Sequence, residues 1–429
     1  MAWNRGQGFI GVGLLAGWLG AGCETSDMQR ISGQETAPPG LAADDGLPGV
    51  GAADMPPVQA DPGTQPEQPR EDVSAQSGPG LSGCEAVPVI QPAALAAWKS
   101  MTRSTSTYGY CGDAAADGAG NILLTATPEN YMSMSFAVQA PDGSSWDGAI
   151  SNVNTMIASS QSQGFLGRSF HPLESTTWLT FIDSVNRRVI VHSEEPLGQP
   201  WGAVNPAGGL HEIHEDGTLK AYSGTGQLRW STSLAPLLSG PVSALGVNTE
   251  GHTLVLSVEG TAMEGVWVDS SGQPGTPFLA LTLENPAPFT RYGLAPLVQG
   301  GLVLSAENHS GRSWIAAFDS LQTSSGPIPG WLGAGDGRPF ELLPGGKGYI
   351  RWERVNGSTS ACQYEAQLTA PSGESCGTVR LPRMDTVDAC GFISMGRDGT
   401  VVENLPPEEV PGDRPYQKCR ARWWPALFR

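Results

Sequence analysis

The chain repeats a short pattern of a glycine-containing turn followed by an apolar strand. One unit runs from Asp117-Gly-Ala-Gly-Asn121 into Ile-Leu-Leu-Thr, and a second turn follows at Ala140-Pro-Asp-Gly143. Further units begin at Pro206, Thr249, Gln299, Gly345 and Gly396, and Ser175-Thr-Thr-Trp-Leu-Thr-Phe181 fills the remaining place. Glycine supplies positive φ, and short polar side chains bond their own backbone. The pattern therefore predicts hairpins of short strands.

The spacing of these units constrains the fold further. They recur at roughly 46 residues, which is the size of a four-stranded propeller blade, and about seven of them fit between Gly109 and Arg429. Only Pro92-Ala-Ala-Leu-Ala-Ala-Trp98 has the composition of a helical turn or two. The sequence predicts an all-β chain, a β-propeller of about six to eight blades. A pair of β-sandwiches or a β-solenoid with similar strand spacing is the alternative.

The first residues carry an export signal. Arg5 precedes an apolar run over residues 9–22, small residues close the run, and Cys23 follows at once. The run is shorter than the ~20 residues that cross a bilayer, so a signal peptide over residues 1–22 is predicted. Small residues before a cysteine resemble the lipobox of bacterial lipoproteins. This resemblance implies cleavage before Cys23 and a lipid anchor on it, with fatty acyl chains such as palmitate.

Two neighbouring residues refine this interpretation. The lipoprotein family prefers leucine at the place of Gly20, so an ordinary secretory signal that happens to contain a cysteine is the alternative. Glu24, rather than aspartate, follows the cysteine. By resemblance to lipoprotein sorting in Gram-negative bacteria, this residue favours the outer membrane.

Residues 23–83 form a different kind of segment. Residues 24–83 contain no Phe, Trp or Tyr, carry ten acids against two arginines, and include Pro38-Pro39 and Pro56-Pro57. Such a stretch buries too little apolar surface to offset its chain entropy. It is predicted to be a disordered acidic tether that follows the lipidated cysteine. The aromatic residues begin at Trp98, so residues 84–429 are predicted to be the folded domain.

Six cysteines besides Cys23 fit an exported domain. An even number of cysteines in an exported chain suggests disulfides, and six allow 15 connectivities. Pairing of near neighbours, Cys84–Cys111, Cys362–Cys376 and Cys390–Cys419, would close short loops at both ends of the domain. Their spacing does not match the CxxC pairs of a zinc site.

The only cluster of ligand-type residues is His211-Glu-Ile-His214-Glu-Asp216. Residues three apart on a strand face opposite sides, so the two histidines are not expected to share a metal. A strand end with polar side chains in solvent is the preferred interpretation. A propeller also lacks the strand–turn–helix that a nucleophile elbow needs. No catalytic residue, metal or other cofactor is therefore predicted.

The C-terminal segment from Cys419 to Phe428 places Trp423 and Trp424 beside basic residues. A final strand that closes the ring against the first blade, held by a disulfide, is favoured over an exposed binding patch because large aromatics mostly serve burial.

The formal net charge of −18 excludes nucleic acid and anionic lipid surfaces as favourable partners. Partners at the cell envelope, protein or glycan, are expected instead, with the membrane reached through the lipid anchor.

Two local motifs and the overall layout resemble known families. Asp117-Gly-Ala-Gly-Asn121-Ile-Leu-Leu-Thr looks like the core repeat of bacterial seven-bladed propellers, and Tyr222 to Trp230 looks like one quinoprotein-type repeat. The order of lipobox, acidic tether and degenerate propeller resembles outer-membrane lipoproteins of myxobacteria. This resemblance implies a location and a fold rather than a reaction. The function expected is a non-catalytic binding scaffold for protein or glycan, and the alternative is a polysaccharide-acting enzyme with its site in the propeller funnel.

Overall fold

The computed structural model describes residues 82–106, 109–127, 133–151, 154–158, 163–171, 176–196, 201–283, 289–308, 313–332, 339–356, 362–383, 391–412 and 416–429. The predicted signal peptide 1–22, Cys23, the tether as far as residue 81, and Cys390 lie outside these ranges.

The described chain folds into seven four-stranded antiparallel sheets, each a blade of a β-propeller. Blade 1 contains β2 (Tyr110–Ala116), β3 (Ile122–Thr127), β4 (Ser133–Gln139) and β5 (Ser145–Ser151). Blade 2 contains β6 (Asn154–Ala158), β7 (Gly164–His171), β8 (Thr176–Asp183) and β9 (Arg188–Pro196). Blade 3 contains β10 (Trp201–Val204), β11 (Leu210–Ile213), β12 (Thr218–Tyr222) and β13 (Leu228–Ser233). Blade 4 contains β14 (Val242–Val247), β15 (Thr253–Glu259), β16 (Ala262–Val268) and β17 (Phe278–Thr282).

The remaining blades follow the same order. Blade 5 contains β18 (Phe289–Pro296), β19 (Leu302–Asn308), β20 (Ser313–Phe318) and β21 (Ser325–Gly326). Blade 6 contains β22 (Glu341–Leu342), β23 (Tyr349–Asn356), β24 (Cys362–Thr369) and β25 (Ser375–Arg380). Blade 7 contains β26 (Phe392–Met395), β27 (Val401–Val410) and β28 (Tyr416–Trp424), with β1 (Lys99–Ser106) as its outermost strand. The seven blades confirm the predicted fold class.

The described helices are short. The helix α1 spans Pro92–Ala96, at the one segment for which the sequence predicted a helix. Single 3₁₀ turns occupy Cys84–Ala86, Ala235–Leu237, Gly330–Leu332 and Pro344–Gly346. Within the part of the chain that the structure describes, no helix is long and apolar enough to span a bilayer.

The hydrophobic core is divided among the blade interfaces. Each of the seven buried apolar clusters joins two neighbouring blades, and Leu166 of blade 2, for example, packs with Leu210 and Tyr222 of blade 3. Because every sheet buries both faces, its central strands are apolar on both sides, as in Ile122–Thr127, which is buried throughout. Burial against both neighbours therefore holds the blades in a closed ring.

The repeated turns connect the first and second strands of the blades. Asp117 Oδ1 accepts hydrogen bonds from the backbone N–H groups of Ala119 and Asn121, both 2.9 Å long. Asn248 Oδ1 accepts from Glu250 and His252 in the same way. The predicted role of the short polar residues is confirmed at these turns. The segment over residues 176–181 differs, because β8 is the third strand of blade 2.

The ring closes by pairing the two ends of the domain. β1 pairs antiparallel with β28, so blade 7 combines one strand from the start of the domain with three from its end. Trp423 packs in a cluster with Ala114 and Ala116 of blade 1. The predicted closing strand is confirmed, and the alternative of an exposed patch is wrong, since Trp423 and Trp424 are buried.

The structure corrects the near-neighbour disulfide pairing. The bonds run from Cys84 to Cys376 and from Cys111 to Cys419, with sequence separations of 292 and 308 residues. Cys111 lies on β2 of blade 1, and Cys419 lies on β28 of blade 7. Ring closure brings these distant segments together, which is why short loops were the wrong expectation. Cys362 lies on β24, and Cys390 lies outside the described residues.

Candidate functional site

The first strand of each blade surrounds the central channel. These inner strands are β2, β6, β10, β14, β18, β22 and β26, and those of neighbouring blades are in contact, for example β10 with β14 and β14 with β18. We call the end that carries the turns between first and second strands the turn end, and the opposite one the far end. An exposed side chain on an inner strand lies along the channel or at one of its two ends.

Arg397 crosses the channel at the turn end. Its Nη1 donates a hydrogen bond of 3.2 Å to the Ala207 carbonyl oxygen. Arg397 belongs to the turn before β27 in blade 7, and Ala207 belongs to the turn before β11 in blade 3, on the other side of the ring. The contact narrows the channel at this end.

Glu341 breaks a pattern of small side chains on the inner strands. The residue two places before the turn is equivalent in six blades, because a backbone hydrogen bond closes each turn, to the carbonyl four residues on in five blades and five residues on after Leu343 in blade 6. These six residues are Ala115, Ala203, Gly246, Ala295, Glu341 and Ser394. Close packing of inner strands favours small residues there, as at Gly246, where a Cβ would lie 2.5 Å from Leu294 Cβ. A carboxyl at this position serves no packing purpose.

The surroundings of Glu341 are apolar. It is the register partner of Ile350, which belongs to the cluster between blades 6 and 7. Register partners point to the same face of a sheet, so Glu341 faces blade 7. Blade 7 presents two charged residues to blade 6, Glu403 and Arg422. They are register partners and form an ion pair with each other. Burial raises the pKa of Glu341 from 4.5 to about 8.

The pKa of Glu341 predicts a pH dependence of stability. The folded chain holds this proton between pH 4.5 and about 8 while the unfolded chain releases it, so the free energy of unfolding falls as pH rises through that window. Glu341→Gln should remove this slope and stabilise the protein at pH 8 by about 1–3 kcal/mol, discounted for partial exposure. Urea unfolding at several pH values measures the effect. The exposed Glu259→Gln is the control, and identical slopes in Glu341→Gln and wild type would contradict the assignment.

Two aromatic side chains are exposed nearer the far end. Tyr110 is 56% exposed and begins β2, and Phe392 is 47% exposed and begins β26. Both strands run from the far end toward the turn end, and they are neighbours in the ring. Asn404, the register partner of Phe392, donates to the Gly112 carbonyl oxygen at 2.7 Å, which ties these two blades together at this level.

His211 and Glu212 are buried, contrary to the solvent-facing interpretation, whereas Glu215 and Asp216 at the end of the cluster are exposed as predicted. The imidazole of His211 accepts from Asn205 at 3.2 Å on Nε2 and donates from Nδ1 to Thr253 at 2.7 Å. Burial lowers the pKa of His211 to about 4, with a smaller effect from Arg229, so its imidazole is neutral at pH 7. Glu212 pairs with Arg168 of blade 2, with Nε to Oε1 at 2.7 Å. Because these neighbours point to opposite blades, they act as interblade contacts.

The sequence contains one pentad with the Gly-x-Ser-x-Gly spacing, Gly373-Glu-Ser375-Cys-Gly377, which sequence reasoning missed. The structure places Ser375 at the start of β25, paired with Thr369, and Cys376 in a disulfide with Cys84. A nucleophile elbow needs a strand–turn–helix, and here the pentad joins two strands. It therefore has the geometry of a hairpin rather than of a nucleophile.

A second polar cluster links blades 4 and 5 at the turn end. Ser320 Oγ donates to Glu250 Oε2 at 2.6 Å, and His252 Nδ1 lies 2.8 Å from the same Oγ. Asn248 Nδ2 donates to Ser320 Oγ as well, at 3.0 Å. The Ser320 hydroxyl contacts three side chains of the turn between β14 and β15, so the cluster connects this turn of blade 4 to the turn after β20 of blade 5. Among the described residues, no group of three or more His, Cys, Asp or Glu side chains has the arrangement of a metal site.

The solved structures that are similar to this chain resemble it distantly. No protein-family model and no curated protein sequence matches the chain. Among solved structures, the Dos1 propeller is similar at 9% identity and a TM-score of 0.43, covering 76% of this chain and 95% of its own. TolB from Acinetobacter baumannii gives 11% identity and a TM-score of 0.36, with 76% and 83% covered.

A peptidase is also among the similar structures. Porphyromonas gingivalis dipeptidyl peptidase 4 matches at 10% identity with a TM-score of 0.36, over 60% of this chain and 42% of the peptidase. The chain therefore spans less than half of that enzyme's length. Identities this low carry no activity over to this chain, and the assignment of seven blades rests on its own strand pairing.

Proposed function

We propose that the chain is an exported lipoprotein, anchored through Cys23, whose propeller is a non-catalytic binding module for protein or glycan at the cell envelope. The observation that carries the binding role is the pair of exposed aromatic side chains, Tyr110 and Phe392, on adjacent inner strands. Ligand sites are concave and are lined mainly by hydrophobic and aromatic side chains with few polar groups, and two exposed aromatic residues on adjacent inner strands fit this composition.

Two observations support export and anchoring. Disulfides persist in exported proteins, and two bonds are described here, Cys84–Cys376 and Cys111–Cys419. The lipobox-like residues before Cys23 and the acidic segment after it fit a lipidated N-terminus followed by a spacer. The outer membrane is the proposed location because Glu24 follows the cysteine.

Replacing Cys23 tests whether the protein is anchored to the membrane through this residue. In the native host, Cys23→Ser should move the protein from the membrane fraction to the soluble fraction and abolish labelling by radioactive palmitate. Glu24→Asp is the matched variant: it should keep the label and shift the protein toward the inner membrane. A Cys23→Ser protein that stays membrane-bound would show that the anchor is not this lipid.

Capture of partners tests the binding role. A photo-crosslinking residue at position 392 in intact cells should yield adducts with envelope material, and one at Leu279, exposed on the outer strand β17, should not. Equal adduct yields from positions 392 and 279 would show that the partner does not bind specifically at the inner strands.

One observation favours the second candidate, a polysaccharide-acting enzyme. Glu341 keeps its proton near neutral pH, which is the property of a general acid in glycoside cleavage. Release of reducing ends from envelope polysaccharide by the wild type, and its loss in Glu341→Gln, would establish this function in place of the first.

A further inference from the structure

The three unusual inner-strand side chains lie in consecutive blades. Glu341 belongs to blade 6, Phe392 to blade 7 and Tyr110 to blade 1. The depth of each residue can be counted from the turn that follows its strand. Glu341 lies two residues before its turn and Phe392 lies four residues before its own. Tyr110 lies further from its turn, before the irregular pairing between Cys111 and Ala114. At ~3.3 Å per residue, the three groups are spread over roughly 10–15 Å along one side of the channel.

The two ends of this row differ in chemistry. The aromatic rings lie toward the far end, and the carboxyl lies deeper, toward the turn end that Arg397 narrows. Glu341 is half-buried and, among the described residues, its carboxyl has no hydrogen bond or ion pair. A carboxyl that is unpaired, beside apolar neighbours and at a position where five other blades carry Ala, Gly or Ser costs stability. Residues that break a local rule at such a cost concentrate at functional sites.

Charge narrows the ligand class. The chain carries a formal net charge of −18, which disfavours polyanions. A carboxylic acid that is neutral at pH 7 both donates and accepts hydrogen bonds, so it suits hydroxyl groups. Exposed aromatic faces suit the apolar faces of sugar rings, because both are flat and partly dehydrated.

We propose that this row, Tyr110, Phe392 and Glu341, binds the end of a neutral glycan chain that enters the channel from the far end. The aromatic rings hold successive sugar rings, and the carboxyl of Glu341 bonds the hydroxyls of the innermost one. This inference rests on the proposed binding function and specifies its ligand.

Direct binding measurements test the ligand class. Short oligomers of glucose, galactose and N-acetylglucosamine, with oligogalacturonate as the anionic comparison, are titrated into the purified full chain by calorimetry. At least one neutral oligomer should bind, and oligogalacturonate should not.

Tyr110→Ala and Phe392→Ala should each weaken binding by about tenfold. Tyr110→Trp and Phe392→Tyr should retain it, which separates loss of the ring from loss of the fold. Trp98→Ala, an aromatic residue 39% exposed outside the inner strands, is the matched control and should bind as wild type does.

The pH profile tests the role of Glu341. The charged groups on the facing surfaces are Glu403 and Arg422 of blade 7 and, four residues beyond Ile350 on the same face of blade 6, Arg354. Affinity of the wild type for the neutral oligomer should fall as pH rises above about 8. Glu341→Gln keeps a donor at every pH, so its affinity should stay flat. Wild-type affinity for the neutral oligomer that stays constant or rises over this pH range would overturn the role given to Glu341.

The remaining outcomes separate this inference from the proposed function. If no sugar binds but crosslinking at position 392 captures an envelope protein, the glycan inference is wrong and the binding module stands. If a neutral glycan binds equally to wild type and to both alanine variants, the site is wrong. If neither sugar nor envelope partner binds, both proposals fall.

Discussion

Glu212→Gln is expected to lower the free energy of unfolding by about 3–5 kcal/mol, because it removes the charge of Glu212 from its buried ion pair with the guanidinium of Arg168. The side chains of Arg168 and Glu212 are 8% and 0% exposed and join the second strands of blades 2 and 3. Removing one charge of such a pair is costly, since the other stays out of water. Urea unfolding followed by tryptophan fluorescence measures the loss.

Two further variants make this test specific. Replacing both residues, as in Arg168→Met with Glu212→Leu, should recover most of the loss, because apolar side chains of similar size fill the interface without desolvated charge. Glu408→Gln is the matched control: Glu408 pairs with Arg420 at 3.2 Å and is 45% exposed, so the change should stay below about 1 kcal/mol. A loss in Glu212→Gln as small as that control would show that the pair is solvated.

Removing the disulfide between blades 1 and 7 is expected to be similarly destabilising. The double variant Cys111→Ser with Cys419→Ser frees a loop of 308 residues and should cost about 3–5 kcal/mol, because the bond restricts the conformations open to the unfolded chain. The bond also joins β2 to β28, the two strands that meet where the ring closes. Opening there exposes the cluster around Trp423 to water.

The other disulfide is the comparison. Cys84 lies before α1, outside the blades, and its bond to Cys376 fastens the segment over residues 82–98 to blade 6. Cys84→Ser with Cys376→Ser should therefore expose this segment to proteolysis at denaturant concentrations where the blades remain folded. Cys111→Ser with Cys419→Ser should lose the whole domain in one step. If the two double variants unfold alike, ring closure depends on the strand pairing of β1 with β28 alone.

The candidate site was only partly accessible to sequence reasoning. Tyr110, Glu341 and Phe392 stand far apart in the chain, and none lies in a motif. Their relation follows from their places on inner strands of consecutive blades, which requires the register of each sheet. One signal was available: among residues two places before the repeated turn, Glu341 is the only charged one in six blades. The degenerate repeats concealed it, because the first strands carry no pattern of their own.

The sequence by itself determined the local structure and the approximate number of units. Glycines and short polar residues at the turns dictate hairpins, and their period dictates blades, because both depend on residues close in the chain. Tertiary structure alone decided which distant residues meet. The cysteines pair across the closure of the ring, and His211 and Glu212 turn from a polar strand end into buried contacts with opposite blades. Stacking blades around a channel buries both faces of every sheet, and no local pattern specifies the partner on the other side.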